Sequence, residues 1–162
     1  VIGAIEFIDN IKAELKQLGF ESIQIISPSD EMTIPSNVDV IAENVNQGGS
    51  RLSEDMTIPL ILPFDFVNGA GVIVVMPDDE RDIICKPDLR QWAATYMAGY
   101  CAFWNVDGCE WLRDSLSDIR NGVTSNAALK TAAHICARIA ANIAVGREVK
   151  HFPRFYLCKN LE

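Results

Sequence analysis

The sequence predicts an α+β fold: a small, largely antiparallel sheet covered by an N-terminal helix and a C-terminal block of three helices. Three observations carry this expectation. Thr124–Gly146 is alanine-rich, and its polar residues Lys130, His134, Arg138 and Asn142 recur every fourth position, which on a helix is one narrow wet stripe. Gly71–Met76 holds the unbroken β-branched run Val72, Ile73, Val74 and Val75, the pattern of a strand buried on both faces. Apolar residues after Pro87 repeat at three and four, whereas those between Phe20 and Met76 fall in short runs broken by Gly and Pro.

Gly3–Leu18 reads as an amphipathic helix with Ile5, Ile8, Ile11, Leu15 and Leu18 inward, ended by Gly19. Phe20–Ile26 reads as a strand, with Ile23, Ile25 and Ile26 supplying β-branched bulk. Asn37–Asn46 fits either a short helix or a strand, and Gln47–Ser53 reads as a Gly-rich loop. Thr57–Phe66 is apolar, but Pro59 and Pro63 remove two backbone donors, so an edge or bulged strand is expected. Asn68–Gly69 signals a hairpin turn.

The first C-terminal helix carries Leu89, Trp92, Tyr96, Tyr100 and Phe103, with Ala94, Ala98, Gly99 and Ala102 as a small face suited to packing on the alanine-rich helix. The next opens on Asp107 with Glu110 three residues on, a capping-box spacing, and ends at Gly122. In the central helix, Thr124 or Ser125 caps the start and Gly146 supplies the left-handed stop.

An internal echo joins Ser29–Pro35 to Ser53–Pro59, five of seven positions being identical and the other two exchanging Asp with Glu. Two copies fall short of a solenoid. A shared local shape, acidic turn then short β segment then proline, accounts for them better than paired acidic loops offered to a cation or a basic partner.

The domain reading is a single domain over residues 1–146 and a basic, aromatic arm over 147–162, with Leu161–Glu162 resembling a vector remnant. In the arm, Arg147, Lys150, His151 and Arg154 interleave with Phe152, Phe155 and Tyr156. Pro153 forbids a helix interior, so an extended arm or edge strand is expected. These seven residues are the candidate binding set, for a protein partner or for nucleic acid. Lys130, His134 and Arg138 form a second candidate, a stripe that could face an anion, although a solvated helix face explains the same spacing.

Charge is unevenly spread. Residues 1–82 hold 15 acidic and 4 basic side chains, a net of −11, while residues 83–162 hold 7 acidic and 10 basic, a net of +3. Such asymmetry bears on association rather than on fold. An acidic half and a basic, aromatic arm can complement one another between copies, head to tail.

Sequence motifs for catalysis are missing: there is no phosphate-binding Gly-rich loop with its lysine, no GxSxG and no HExxH. His134 with Cys136, and His151 with Cys158, lack diagnostic spacing. The five cysteines form no CxxC pair, and with two histidines no zinc site is expected. Asp78, Asp79, Glu80 and Asp82 lack the alternation and glycine of a calcium loop. No metal or cofactor is therefore expected. Unpaired thiols suit a reducing, cytoplasmic setting, and no apolar run is long enough to cross a bilayer. The expectation is a non-enzymatic, soluble interaction or assembly module with a protein partner or a second copy of itself. The alternatives are a nucleic-acid-associated protein using the arm, and a small enzyme whose site the sequence does not locate.

Overall fold

In a computed structural model, described for residues 1–26, 33–53 and 56–160, four helices flank the two faces of a four-stranded sheet. The elements are α1 (Ile5–Gln17), β1 (Ile41–Ala42), β2 (Leu60–Asp65), β3 (Gly69–Val75), α2 (Leu89–Phe103), α3 (Glu110–Arg120), α4 (Asn126–Ala144) and β4 (Tyr156–Lys159), with a single 3-10 turn at Asp82–Cys85. The α+β architecture and its helical cover are those the sequence predicts. Much of the internal echo, and Leu161–Glu162, lie outside the described residues.

Strand order is β1-β2-β3-β4. β1 runs parallel to β2, while the β2–β3 and β3–β4 pairs are antiparallel, so the sheet is mixed rather than largely antiparallel. The parallel pair arises because β1 reaches β2 through a long connection instead of a hairpin. β2 and β3 are buried throughout, and alternate side chains serve opposite layers, as strand geometry requires. Leu60, Leu62, Phe64, Ile73 and Val75 meet Leu89, Ala93, Met97, Leu112 and Ile119 of α2 and α3. Ile61, Val72 and Val74 meet Phe7, Ile11, Leu129, Ala133, Cys136 and Ala137 of α1 and α4.

α4 follows its sequence signals closely. The Ser125 hydroxyl accepts from the Ala128 N–H at 3.3 Å. At the other end Gly146 has φ of 76°, the Gly146 N–H donates to Ile143 and the Arg147 N–H donates to Asn142, which is a Schellman stop. Its apolar side presses on both central strands and on α1.

Several elements depart from expectation. Thr57–Phe66 yields a central strand, not an edge. The Pro59 and Ile61 carbonyls accept from Ile41 and Glu43, so odd-numbered residues of β2 turn their backbone groups toward β1. The donor that Pro63 lacks thus falls just past the end of the two-residue β1, where the Asn44 side-chain amide takes the Pro63 carbonyl at 3.0 Å. Phe20–Ile26 forms no regular strand. Only Ile26 makes a bridge, to Ile2, and Ile2 bridges Glu43 on its other side. Of the two readings for Asn37–Asn46, the strand occurs, as Ile41–Ala42.

The inner face of α1 is turned from the expected stripe: Phe7, Ile8, Ile11 and Leu15 are buried, and Ile5 and Leu18 are exposed. The start of α3 is later than the capping-box spacing implies. Cys109 is its N-cap without a side-chain cap bond, because Gly108, at φ of 81°, turns the chain after Asp107. The α2 small face does not meet α4, since the sheet separates the two helices. Instead α2 presses on the sheet at Gly71, where a Cβ would lie 2.8 Å from the Met97 sulfur and closer still to the Phe66 ring.

The hairpin between β2 and β3 is present, but its positive φ falls on Val67, at 67°, rather than on Asn68. The Asn68 N–H donates back to the Phe66 carbonyl at 2.8 Å, a γ-turn of the uncommon, strained hand. The Asp65 carboxylate holds it by accepting from the Val67 N–H at 2.8 Å and the Ser125 N–H at 2.7 Å.

Candidate interaction surface

The arm folds back on the molecule. Val149 is buried against α1 and α4, the Phe152 N–H donates to the Val74 carbonyl at 2.7 Å, and Tyr156–Lys159 adds β4 to the sheet. His151 Nδ1 lies 2.8 Å from the Asp79 carboxylate, so part of the acidic turn that follows β3 engages the start of the arm within the same molecule.

Two of the arm's aromatic rings, Phe152 and Phe155, close on the stripe of α2, while Tyr156 packs on the α1 and α4 side. Trp92 stacks on Tyr96, Phe152 sits against both, and Phe155 meets Tyr96 and Tyr100 edge to face. The Tyr96 hydroxyl donates to the Pro153 carbonyl at 2.7 Å, and burial raises the Tyr96 pKa. Lys86 lies 5.6 Å over the Trp92 ring and Lys150 lies 5.3 Å over the Tyr156 ring. Of the seven arm candidates, Phe152, Phe155 and Tyr156 are therefore half-buried in intramolecular contacts, His151 is paired to Asp79, and Arg147, Lys150 and Arg154 project outward.

Beyond Tyr100 the aromatic ladder continues without cover. Tyr100 packs on Trp104, and Trp104 packs on Phe103 edge to face. Tyr100 is 44 % exposed, Phe103 76 %, Trp104 63 % and Val106 41 %. Aromatic side chains carry about 150–250 Å² each, so these residues present an apolar patch of several hundred Å², the size that marks binding surfaces on monomers. The sequence placed Tyr100 and Phe103 on the helix stripe without distinguishing wet from dry positions. It gave Trp104 no role, although the run Phe103–Trp104 directly before Asn105 at the end of an apolar helix was a visible signal.

β4 supplies a neighbouring feature. The Asn160 N–H donates to Asn68, so residues 156 and 158 turn their backbone groups to β3 and residues 157 and 159 turn theirs away from it. That strand edge carries exposed Lys159, with exposed Arg154 just before it. At the opposite edge of the sheet, Ile2 lies against the end of β1.

The stripe Lys130, His134 and Arg138 resolves differently. His134 Nδ1 lies 3.2 Å from the Glu14 carboxylate of α1, and Arg138 Nε donates to His134 Nε2 at 3.1 Å. Because Nε2 accepts, the ring proton sits on Nδ1 and donates to Glu14. His134 is thus tied between two partners, while Lys130 and Arg138 remain exposed.

Among the described residues no group of three or more His, Cys, Asp or Glu is arranged to hold a metal ion, and no helix is long and apolar enough to cross a membrane. A mostly apolar cavity of about 400 Å³ lies between α1, the end of α4 and the segments around Phe20–Ile26 and Ile34–Ala42, and among the described residues that line it Asp39 is the one ionisable side chain. Cys136 is fully buried and far above an ordinary thiol pKa through desolvation, so the His134–Cys136 pair does not form a nucleophile with its base. No family model, curated protein or solved structure matches this chain.

Proposed function

We propose that this chain is a non-enzymatic interaction or assembly module that associates with further copies of itself through the face formed by the end of α2 and the edge of β4. The observation that carries this reading is the uncovered aromatic run Tyr100–Phe103–Trp104, joined to the arm where Tyr100 meets Phe155, the residue after exposed Arg154. Aromatic and arginine side chains are those that interface cores favour. The complementary surface on a second copy is acidic: Asp78, Glu80 and Asp82 stay exposed after Asp79 is taken by His151. Opposite charge on two different patches of one molecule favours head-to-tail contact over a symmetric one, since the basic edge repels its own copy.

Nucleic-acid association through the arm is the second reading, favoured by exposed Arg147, Lys150 and Arg154. Base stacking needs open rings, and Phe152 and Phe155 are turned to α2, so the assembly reading has the better support.

The triple variant Arg147→Ser, Lys150→Ser, Arg154→Ser tests the choice. Assembly predicts a lower solution mass at low salt and negligible single-strand binding before and after substitution. Nucleic-acid binding predicts a salt slope that falls by about 2 in the variant, each phosphate contact contributing roughly 0.7, with mass unchanged.

A further inference from the structure

We infer that Cys101 and Cys109 form a reversible oxidation site that closes to an intramolecular disulfide in the presence of a small-molecule disulfide such as oxidised glutathione. Cys101 lies in the last turn of α2 and Cys109 is the N-cap of α3. Both line one pocket of about 270 Å³, together with Asn105, Asp107, Glu110 and Arg113. The chain between them doubles back: the Val106 N–H donates to the Cys101 carbonyl at 2.9 Å, and Asn105 and Gly108 adopt positive φ of 50° and 81°. The return brings the second thiol into the same pocket as the first, close enough for the two to interact. Burial and then the neighbouring Cys109 thiol push the Cys101 pKa up to about 12.

The remaining cysteines are placed differently. Cys136 is enclosed by α1 and α4 on the far side of the sheet. Cys158 is on β4 with its thiol directed to the Lys159 carbonyl, and Cys85 is exposed at the 3-10 turn.

The unequal burial sets the order of events. Cys109 is half-exposed and Cys101 is buried. Cys109 gives up its proton to solvent, and its thiolate attacks one sulfur of oxidised glutathione. The glutathione S–S bond breaks, and one glutathione leaves as a thiolate that takes a proton. Cys101 then loses its proton, and its sulfur attacks the Cys109 sulfur of the mixed disulfide. The second glutathione leaves and is protonated in turn. Two protein thiols are oxidised, and one small disulfide is reduced to two thiols. Placement of both thiols in one pocket offsets the low thiolate fraction of Cys101, because the second step is intramolecular.

The bridge would close the segment 102–108, which carries Phe103, Trp104 and Val106, but the site stands whether or not that surface binds a second copy. The test is intact-mass analysis of the folded chain exposed to oxidised glutathione, followed by peptide mapping without reduction. The expected product maps to a Cys101–Cys109 link lighter by two hydrogens than the two free thiols, carries no glutathione on either of these cysteines whatever exposed Cys85 takes up, and reverts with dithiothreitol. Cys101→Ala should instead retain glutathione on Cys109, and Cys109→Ser should form no link at Cys101. Cys109→Ser alters a half-exposed position, so it stays informative if Cys101→Ala folds poorly. A wild-type chain that keeps glutathione on Cys109, or links Cys109 to Cys85 or Cys158, or leaves both Cys101 and Cys109 as thiols while Cys85 is modified, overturns the inference.

Discussion

Arg90 and Asp65 are joined at the centre of the fold, their side chains 2 % and 0 % exposed. Arg90 Nε donates to the Asp65 backbone carbonyl at 2.6 Å, and its terminal nitrogen lies 3.8 Å from the carboxylate and donates to the Val123 carbonyl. One side chain of α2 thus ties the β2–β3 hairpin to the segment that leads into α4. Desolvation raises the Asp65 pKa, opposed by the Ser125 and Val67 N–H groups and then by Arg90. A buried pair adds little over a hydrophobic replacement, but removing one member leaves an uncompensated charge and orphaned carbonyls. Arg90→Met should therefore lower unfolding free energy by about 3–5 kcal/mol, read from a urea transition. A loss under 1 kcal/mol would show that the pair is dispensable.

The pH response should have a definite sign. Burial raises the Glu43 pKa against the opposing bonds from Ser50 and the Arg51 N–H, and Asp65 is raised as well. A carboxyl whose folded pKa exceeds its unfolded value binds more protons when folded. Its stabilising contribution is present below the unfolded value, about 4, and is lost as pH rises through the raised folded value. Glu43→Gln removes this linkage. The variant should gain relative to wild type as pH climbs from about 4 toward neutrality, measured as paired urea midpoints. A difference that shrinks or reverses with rising pH would refute the assignment.

Ile139 belongs to the face of α4 that packs toward α1 and is 3 % exposed. Ile139→Asp should cost several kcal/mol, comparable to about the whole stability of a domain. The expected result is loss of the cooperative thermal transition. Near-normal melting would mean that this helix face is not enclosed.

Thiol reactivity should follow burial. Cys85 is exposed, Cys109 and Cys158 are half-exposed, and Cys101 and Cys136 are buried with raised pKa values. A thiol reagent should modify Cys85 early and Cys136 last, because thiolate and access are both needed. Early loss of the Cys136 thiol from folded protein would reopen the case for a reactive cysteine.

The parts of the fold legible in the sequence are those set by local physics. The four-residue stripe and the Ser125 and Gly146 signals located α4 within two residues, and the Val72–Val75 run located β3. What escaped was set by tertiary pairing. Pro63 reads as an edge residue until its missing donor is seen to point past the end of β1. Phe20–Ile26 has strand composition, yet Ile2 pairs only with its last residue. The candidate surface was half legible: basic residues of the arm project as their charge suggests, whereas Phe152 and Phe155 turn inward because α2 presents Trp92, Tyr96 and Tyr100 to receive them. Which end of that aromatic stripe stays wet depends on where Phe152 and Phe155 cross α2, and no local pattern encodes that.

The most direct test of self-association through the end of α2 is sedimentation equilibrium of the wild-type chain and of Trp104→Asp, each at low and high salt. Trp104 is 63 % exposed, so the substitution should leave the melting transition within about 0.5 kcal/mol of wild type. The account predicts a wild-type mass above the 17.9 kDa of one chain at low salt, falling as salt screens the acidic and basic surfaces, and a single-chain mass for Trp104→Asp throughout. A single-chain mass for the wild type at low salt and high concentration, or an assembly that Trp104→Asp leaves intact, would contradict it.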